Sequence, residues 1–126
     1  MIKVLFLDDD VNRHKAFKQN INIPDSEIKY VYTSKDAIDA INDEKYDVVF
    51  LDHDLGGKIY VAETENTGYE VTLHIAKMPK EKRSDNVIIH SFNRSGAIRM
   101  YQSISGSVKS VHTIPFNVFL NNTIIK

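Results

Sequence analysis

The chain has 126 residues, of which 42% are hydrophobic and 26% are charged, and its formal net charge is -1 at pH 7. This length suits a single domain with its own core, predicted to cover residues 1–126, and the near-zero charge argues against strong binding to duplex DNA or to membranes. The absence of cysteine excludes disulfides, catalytic thiolates and cysteine metal ligands.

The N-terminal segment is strand-like and does not resemble a targeting signal. Residues 2–7 form an apolar run interrupted only by Lys3, which is typical of a strand buried on both faces. The sequence shows neither a signal-peptide core nor an apolar stretch long enough to cross a bilayer. We therefore expect a cytoplasmic protein with no membrane partner.

Strand and helix patterns alternate along the rest of the chain. Further strands are predicted at residues 28–32, 48–51, 87–89 and 108–114. Helices are predicted at about residues 11–21, after Ser34 as N-cap, at 68–78, around 97–104 with Gly106 closing the helix, and weakly at 117–125. Strict alternation implies an α/β fold, a doubly wound sheet of five parallel strands with helices on both faces.

Polar residues follow three of these strands at the point where each strand ends. They are Asp8-Asp9-Asp10, Asp52-His53-Asp54 and His90-Ser91-Phe92-Asn93. In open parallel sheets, ligands bind in the crevice outside the carboxyl ends of the strands. These residues therefore form the predicted functional site.

The two acidic clusters point to a divalent cation. Crowded carboxylates repel one another and are costly to desolvate, and a hard cation such as Mg²⁺ or Mn²⁺ would neutralise them through oxygen ligands. The alternative is that Asp8 to Asp10 cap the first helix and that His53 is a solvated loop residue. Two acidic clusters that meet at one crevice favour the cation.

The five histidines differ in their position along the predicted elements. His53 and His90 flank strand ends at the crevice, where a neutral imidazole can transfer a proton or bind a metal. Because neighbouring strand residues point to opposite faces, His90 and Ser91 do not easily point the same way, and one of them can face the core instead. His14 and His74 are interpreted as packing or surface residues, and His112, inside the fifth strand, is interpreted as structural.

Several of these segments resemble response-regulator receiver domains. Residues 4–10 are similar to the first receiver strand and its acid pair, and residues 48–52 are similar to the third strand, which places Asp52 at the phosphoacceptor position. Ser91 falls at the receiver Ser/Thr position, and Pro115-Phe116 matches the Pro-Phe after the fifth strand. The resemblance implies the receiver or flavodoxin-like strand order 2-1-3-4-5. It also implies a divalent cation with these ligands: Asp8, Asp9, Asp52 and the backbone carbonyl of Asp54.

Two features separate the chain from signalling receivers. Receivers carry a lysine immediately before the proline, where this chain has Ile114. The other feature is a pair of stretches that closely resemble cyclic-phosphate-processing receiver domains, a family known from bacterial and phage genomes. These stretches are Asp52-His53-Asp54-Leu55-Gly56, and His90-Ser91-Phe92-Asn93 followed by Gly96-Ala97 and Met100. The resemblance implies a bacterial, cytoplasmic protein that could be phage-encoded.

This resemblance implies a metal-dependent phosphoesterase that opens a cyclic phosphate, either at an RNA 2′,3′-cyclic end or in a cyclic nucleotide messenger. His53 or His90 would activate water or protonate the departing ribose oxygen, and Asp52 could instead attack as a nucleophile. The alternatives are a stand-alone signalling receiver phosphorylated on Asp52, and a catalytically silent interaction module. Three further residues would contact the phosphate: Ser91, Asn93 and Arg94.

The polar segment of residues 55–67 is longer than a simple strand-to-helix connection, which usually needs about 2–6 residues. Long ordered loops are often lids or binding loops, and Tyr60 could stack on a nucleobase of the substrate. Glu63 or Glu65 could be a metal ligand if the loop reaches the cation. The alternative is a disordered surface insertion.

Overall fold

The computed structural model describes residues 1–53, 55, 67–91 and 93–114. The strands are β1 (Ile2–Leu7), β2 (Ser26–Val31), β3 (Val48–Leu51), β4 (Asn86–Ile89) and β5 (Ser110–Thr113). The α-helices are α1 (Val11–Asn20), α2 (Ser34–Asp43), α3 (Gly68–Lys77) and α4 (Arg94–Ile104), and a 3₁₀ turn covers Lys80–Lys82. In this part of the chain, the helices are too short or too polar to cross a membrane.

All five strands pair in parallel, in the order β2-β1-β3-β4-β5. This order confirms the predicted doubly wound α/β fold. The register places Leu7 beside Leu51 and Leu51 beside Ile89, so β1, β3 and β4 end level with one another. The residues that follow these three strands therefore meet at one edge of the sheet.

The side chains of the sheet alternate between two cores. On one face, Phe6 and Phe50 pack against Phe17 of α1. On the other face, Leu7 and Leu51 belong to a cluster that includes residues of α2, α3 and α4. Because successive strand residues point to opposite faces, the residue directly after each of these strands is directed to the α1 face.

The start of α2 differs from the prediction by one residue. Thr33 is the N-cap, since its Oγ1 accepts a hydrogen bond from Asp36 N at 3.1 Å. Ser34, the predicted cap, is the first helical residue, and its hydroxyl donates to Glu70 of α3 instead. Both residue types cap helices well, so local preference does not distinguish between the two positions.

Boundaries near the end of the chain also differ. β5 is shorter than the predicted strand at residues 108–114, and before it Ser107 N donates to Ile104 O at 2.8 Å in the turn after α4. Gly106 has a φ of +87°, in the left-handed region that favours glycine, which confirms that it closes α4. The predicted helix at residues 117–125 lies outside the described residues.

Candidate functional site

The backbone hydrogen bonds of the sheet continue one residue beyond its strands. Asp52 N donates to Leu7 O at 3.1 Å, and His90 N donates to Leu51 O at 2.9 Å. Asp8, Asp52 and His90 therefore lie side by side in one row on the α1 face. The sheet itself thus brings together residues that are up to 82 positions apart in the sequence.

Three carboxylates form the acidic centre of this edge. Asp8, Asp9 and Asp52 each offer an oxygen, and these atoms all lie within 4.8 Å of one another. Mg²⁺ and Mn²⁺ prefer oxygen ligands and usually keep several waters, so this donor set fits such a cation. Asp10 has a different role, because its Oδ1 accepts a hydrogen bond from Asn12 N at 2.8 Å and caps α1. The helix-cap interpretation therefore holds for Asp10.

Arg13 was not among the predicted site residues, yet it reaches into this centre from the first turn of α1. Its Nε lies 2.7 Å from Asp8 Oδ2, and its Nη2 lies 3.1 Å from Asp52 Oδ2 and 3.5 Å from Asp9 Oδ1. Its Nη1 is 3.6 Å from Asp10 Oδ2. The spacing carried a signal, because side chains four positions apart, such as Asp9 and Arg13, can meet where a helix begins.

Asp8 is held as a buried carboxylate by its neighbours. Burial raises its pKa, but hydrogen bonds from His90 and Arg13 outweigh that effect, and the pKa of Asp8 is lowered to about 2. His90 Nε2 lies 3.1 Å from Asp8 Oδ2, and because an ionised carboxylate only accepts, Nε2 carries the hydrogen. Burial lowers the pKa of His90 despite Asp8, so we interpret His90 as a neutral donor. Its ring also stacks on Phe6, with centroids 5.1 Å apart.

Asp52 has the opposite electrostatic balance. Burial raises its pKa, the charge of Asp8 raises it further, and Arg13 only partly opposes both effects, so the pKa of Asp52 reaches about 8. Its Oδ1 accepts a hydrogen bond from His53 N at 2.9 Å, and its Oδ2 accepts one from Arg13 Nη2 at 3.1 Å. Full ionisation of Asp52 at neutral pH would thus require more positive charge than Arg13 supplies. A divalent cation next to Asp52 would provide that charge.

His53 lies beside the start of α4, where it is almost completely buried. It is 1% exposed, and its ring lies against Gly96, at which a Cβ would be 2.6 Å from the Cγ and Cδ2 of the imidazole. Its Nδ1 is 3.5 Å from Asn93 Nδ2. The interpretation of His53 as a solvated loop residue is therefore wrong. His90 is also buried. Both histidines were predicted at the crevice, but neither imidazole is open to it.

Ser91 and Asn93 shape the start of α4. Asn93 is the N-cap, with Oδ1 accepting a hydrogen bond from Gly96 N at 2.9 Å, and Ser91 Oγ accepts one from Asn93 N at 3.0 Å. Arg94 is exposed and lines, together with Ser91, a cavity of about 490 Å³ beside β4 and β5. The described residues around this cavity do not include the three carboxylates. The predicted phosphate contacts of Ser91, Asn93 and Arg94 therefore stay predictions.

Ile114 extends the row of residues at the strand ends. Its N donates to Ile89 O at 2.8 Å, which places it beyond His90 in the direction of β5. Its side chain is partly buried and packs against the apolar cluster on the α1 face. At the position where the resemblance to receivers leads one to expect lysine, the side chain is thus part of the core, and Arg13 supplies positive charge beside Asp52.

The remaining histidines occupy packing or surface positions. His14 is buried, and its Nε2 donates to Asp8 O at 2.7 Å. His74 Nε2 forms a hydrogen bond with Asn42 Oδ1 at 2.7 Å, and His112 is exposed on β5.

Several other predicted features lie outside the described residues. They are Asp54, Tyr60, Glu63 and Glu65, the rest of the 55–67 loop apart from Leu55 and Thr67, and Pro115-Phe116.

Solved structures similar to this chain are receiver domains. The response regulator domain of CheB from Thermotoga maritima is 20% identical, with a TM-score of 0.64, and the match covers 96% of this chain and 89% of that chain. A LuxR-family DNA-binding response regulator from Staphylococcus aureus is 22% identical, with a TM-score of 0.64 and coverages of 96% and 94%. The Mn(2+)-bound form of response regulator Rcp1 is 17% identical, with a TM-score of 0.65 and coverages of 96% and 91%. At these identities the likeness shows the fold.

The comparison with protein-family models narrows the assignment from a fold to one family. Curated proteins give no match to the chain. The family model described as the cyclic-phosphate processing receiver domain matches residues 3–106. This range contains the three clustered carboxylates, Arg13 and both buried histidines of the site. The chain therefore belongs to the cyclic-phosphate processing receiver domain family.

Proposed function

We propose that this protein is a metal-dependent phosphoesterase that opens a cyclic phosphate, at an RNA 2′,3′-cyclic end or in a cyclic nucleotide. The observation that carries the proposal is the cluster of Asp8, Asp9 and Asp52, whose oxygens lie within 4.8 Å of one another at the carboxyl ends of β1 and β3. The name of the family supports the substrate class. The Mn(2+)-bound form of Rcp1 supports a divalent cation in a domain of this fold.

Asp8, Asp9 and Asp52 would hold Mg²⁺ or Mn²⁺. Once bound, such a cation stabilises the negative charge that develops on the phosphate oxygens as the phosphorus becomes five-coordinate. The neighbouring residues keep Asp8 charged and oriented. The Oδ2 of Asp8 accepts hydrogen bonds from His90 and Arg13, and its Oδ1 accepts one from the backbone N of Asp10 at 2.9 Å. His90 is accordingly a positioning residue for Asp8.

The reaction requires one bond to form at phosphorus and one ring ester bond to break. Attack by water breaks the ring ester bond, the ribose oxygen leaves with a proton, and the product is a phosphate monoester. Attack by Asp52 would instead give an aspartyl phosphate still esterified to the substrate, and water would then hydrolyse its acyl bond to release the monoester. The resemblance predicts that His53 or His90 activates water or protonates the ribose oxygen. Because the Nε2 hydrogen of His90 is donated to Asp8, we assign the proton transfer to His53. The ring of His53 is buried, so it would reach the ribose oxygen through a bridging water rather than directly.

The direct test is turnover by the purified chain with Mg²⁺ or Mn²⁺. The substrates are 2′,3′-cyclic mononucleotides, cyclic oligonucleotides and RNA ending in a cyclic phosphate, with phosphorus NMR to follow the appearance of a monoester. We expect turnover of at least one class, and its loss with a chelator or in Asp52→Asn. Asp39→Asn removes an exposed carboxylate from α2 and is the matched control that should keep full activity.

The same preparations distinguish the alternatives. The absence of turnover with every substrate, together with stable phosphorylation of Asp52 by acetyl phosphate, would contradict the proposal and favour a signalling receiver. The absence of both turnover and phosphorylation would favour a silent interaction module.

A further inference from the structure

Arg13 interacts with the same three carboxylates that would hold a divalent cation. Its guanidinium nitrogens lie 2.7 Å from Asp8 Oδ2, 3.1 Å from Asp52 Oδ2 and 3.5 Å from Asp9 Oδ1. Oxygens of these side chains converge within 4.8 Å. The side chain of Asp8 is 0% exposed and that of Arg13 is 25% exposed, so the arginine has a route to solvent that Asp8 lacks.

The guanidinium and a divalent cation would compete for these oxygens. Mg²⁺ binds oxygen ligands at about 2.0–2.1 Å in nearly octahedral geometry, which requires the carboxylates to close around it. The guanidinium of Arg13 is a planar group that directs its N–H donors at the same carboxylates. A divalent cation bound to these oxygens and the guanidinium of Arg13 bonded to the same oxygens would also repel each other strongly, because the site is partly removed from water.

We propose that Arg13 is a displaceable internal cation, which bonds to Asp8, Asp9 and Asp52 in the metal-free protein, leaves them when a divalent cation binds, and then binds the phosphate of the substrate. The displacement follows from the shared carboxylates and does not depend on the activity proposed above. The phosphate contact rests on that proposed function.

The phosphate contact follows from the charges of the side chains at the strand ends. Ile114, which ends the row on the α1 face, is apolar and packed against the core, so it cannot bind an anion. Arg13 already lies beside Asp52, on the face to which Asp52 and Asp8 point. A guanidinium can donate two parallel hydrogen bonds to a phosphate, as it does to a carboxylate. A short movement of this side chain would therefore exchange carboxylate oxygens for phosphate oxygens.

The first measurement is calorimetric titration of Mn²⁺ into the metal-free protein without phosphate. Arg13→Gln should bind Mn²⁺ about tenfold more tightly than the wild type, because the cation no longer has to break a charge-assisted hydrogen bond to Asp8. Mn²⁺ should also raise the melting temperature of Arg13→Gln more than that of the wild type. Arg13→Lys, which keeps the charge but loses the planar set of donors, should lie between the wild type and Arg13→Gln.

The second measurement is titration of inorganic phosphate into the protein saturated with Mn²⁺. Arg13→Gln should bind phosphate about tenfold more weakly than the wild type, the opposite direction to its effect on Mn²⁺. Lys15→Gln is the matched control for both titrations. It makes the same change of charge on an exposed position of α1, two residues further on, and should alter either affinity by less than about twofold because of screening.

The two titrations have separate contradicting outcomes. Mn²⁺ binding by Arg13→Gln that equals or falls below that of Lys15→Gln would overturn the displacement. Tighter Mn²⁺ binding with unchanged phosphate binding would overturn the phosphate contact. Neither titration uses a cyclic phosphate, so a protein that shows the two opposite shifts but turns over no substrate would contradict the proposed function and leave the displacement of Arg13 standing.

Discussion

Gly96 lies so close to the imidazole of His53 that a Cβ at this position would be 2.6 Å from both Cγ and Cδ2 of the ring. The contact fixes the start of α4 against the residue that follows Asp52. We expect Gly96→Ala to lower the free energy of unfolding by about 1–3 kcal/mol, because the ring or the helix has to shift. Urea denaturation at neutral pH measures the loss.

The double variant with His53→Ala is the control for this contact. Once the ring is removed, the alanine at position 96 has space, so the two substitutions together should cost less than the sum of their separate effects. Additive effects would show that the destabilisation arises elsewhere in α4.

A second prediction concerns the ligands of the divalent cation. Asp9→Asn and Asp52→Asn should each weaken Mn²⁺ binding by at least about tenfold, a loss seen even when a partner of a metal ligand is removed. Asp10→Asn is the matched control, since asparagine caps a helix as well as aspartate does and Asp10 lies outside the converging group. Equal Mn²⁺ binding by Asp52→Asn and the wild type would place the cation elsewhere.

A third prediction follows from the pKa of Asp52 in the metal-free protein. The pKa is about 8 in the folded state and about 3.9 in an unfolded chain, so the folded state binds the extra proton between these values. The stabilisation that comes from this proton on Asp52 is complete below the unfolded pKa and is lost as the pH rises through about 8. Melting temperatures at pH 5 and pH 8.5, with a chelator, should therefore show a decrease that Asp52→Asn reduces.

Asp39→Asn serves as the control for the pH series, because its side chain is 63% exposed on α2. It should retain the decrease shown by the wild type. A melting temperature that falls equally with pH in Asp52→Asn would assign the effect to another group.

A fourth prediction concerns the hydrogen bond from His90 to Asp8. His90→Phe keeps an aromatic ring next to Phe6 but removes the donor, and should lower the free energy of unfolding at pH 7 by about 1–3 kcal/mol. The folded pKa of Asp8 is lowered to about 2, so its contribution to stability is present above the unfolded pKa and is lost as the pH falls through about 2. The difference between wild type and His90→Phe should therefore shrink as the pH falls below about 4.

His112→Phe changes an exposed histidine on β5 and should leave the free energy of unfolding nearly unchanged. Urea denaturation across this pH range compares the three proteins. A constant difference between wild type and His90→Phe at all pH values would mean that ring packing, and not the bond to Asp8, is responsible.

The fold could be predicted from local patterns because the burial of a strand determines which of its residues are apolar. β1 and β3 are buried on both faces, which requires nearly continuous apolar runs, and polar residues resume where each strand ends. The limits of other elements were less predictable. Thr33 and Ser34 are both good N-caps, and in the structure Thr33 caps the helix while Ser34 donates to Glu70 of α3, a residue 36 positions away.

The sequence by itself determined the alternation of strands and helices, and it placed Asp8, Asp9 and Asp52 at the ends of two buried strands. The tertiary structure alone decided which side chains meet there. Strand register directs Asp52 and His90 to the α1 face with Asp8, whereas His53 lies against Gly96 at the start of α4. The insertion of the Arg13 guanidinium likewise depends on how α1 packs on the sheet. Register and helix packing join residues that are distant in the chain, and local periodicity carries no information about such pairs.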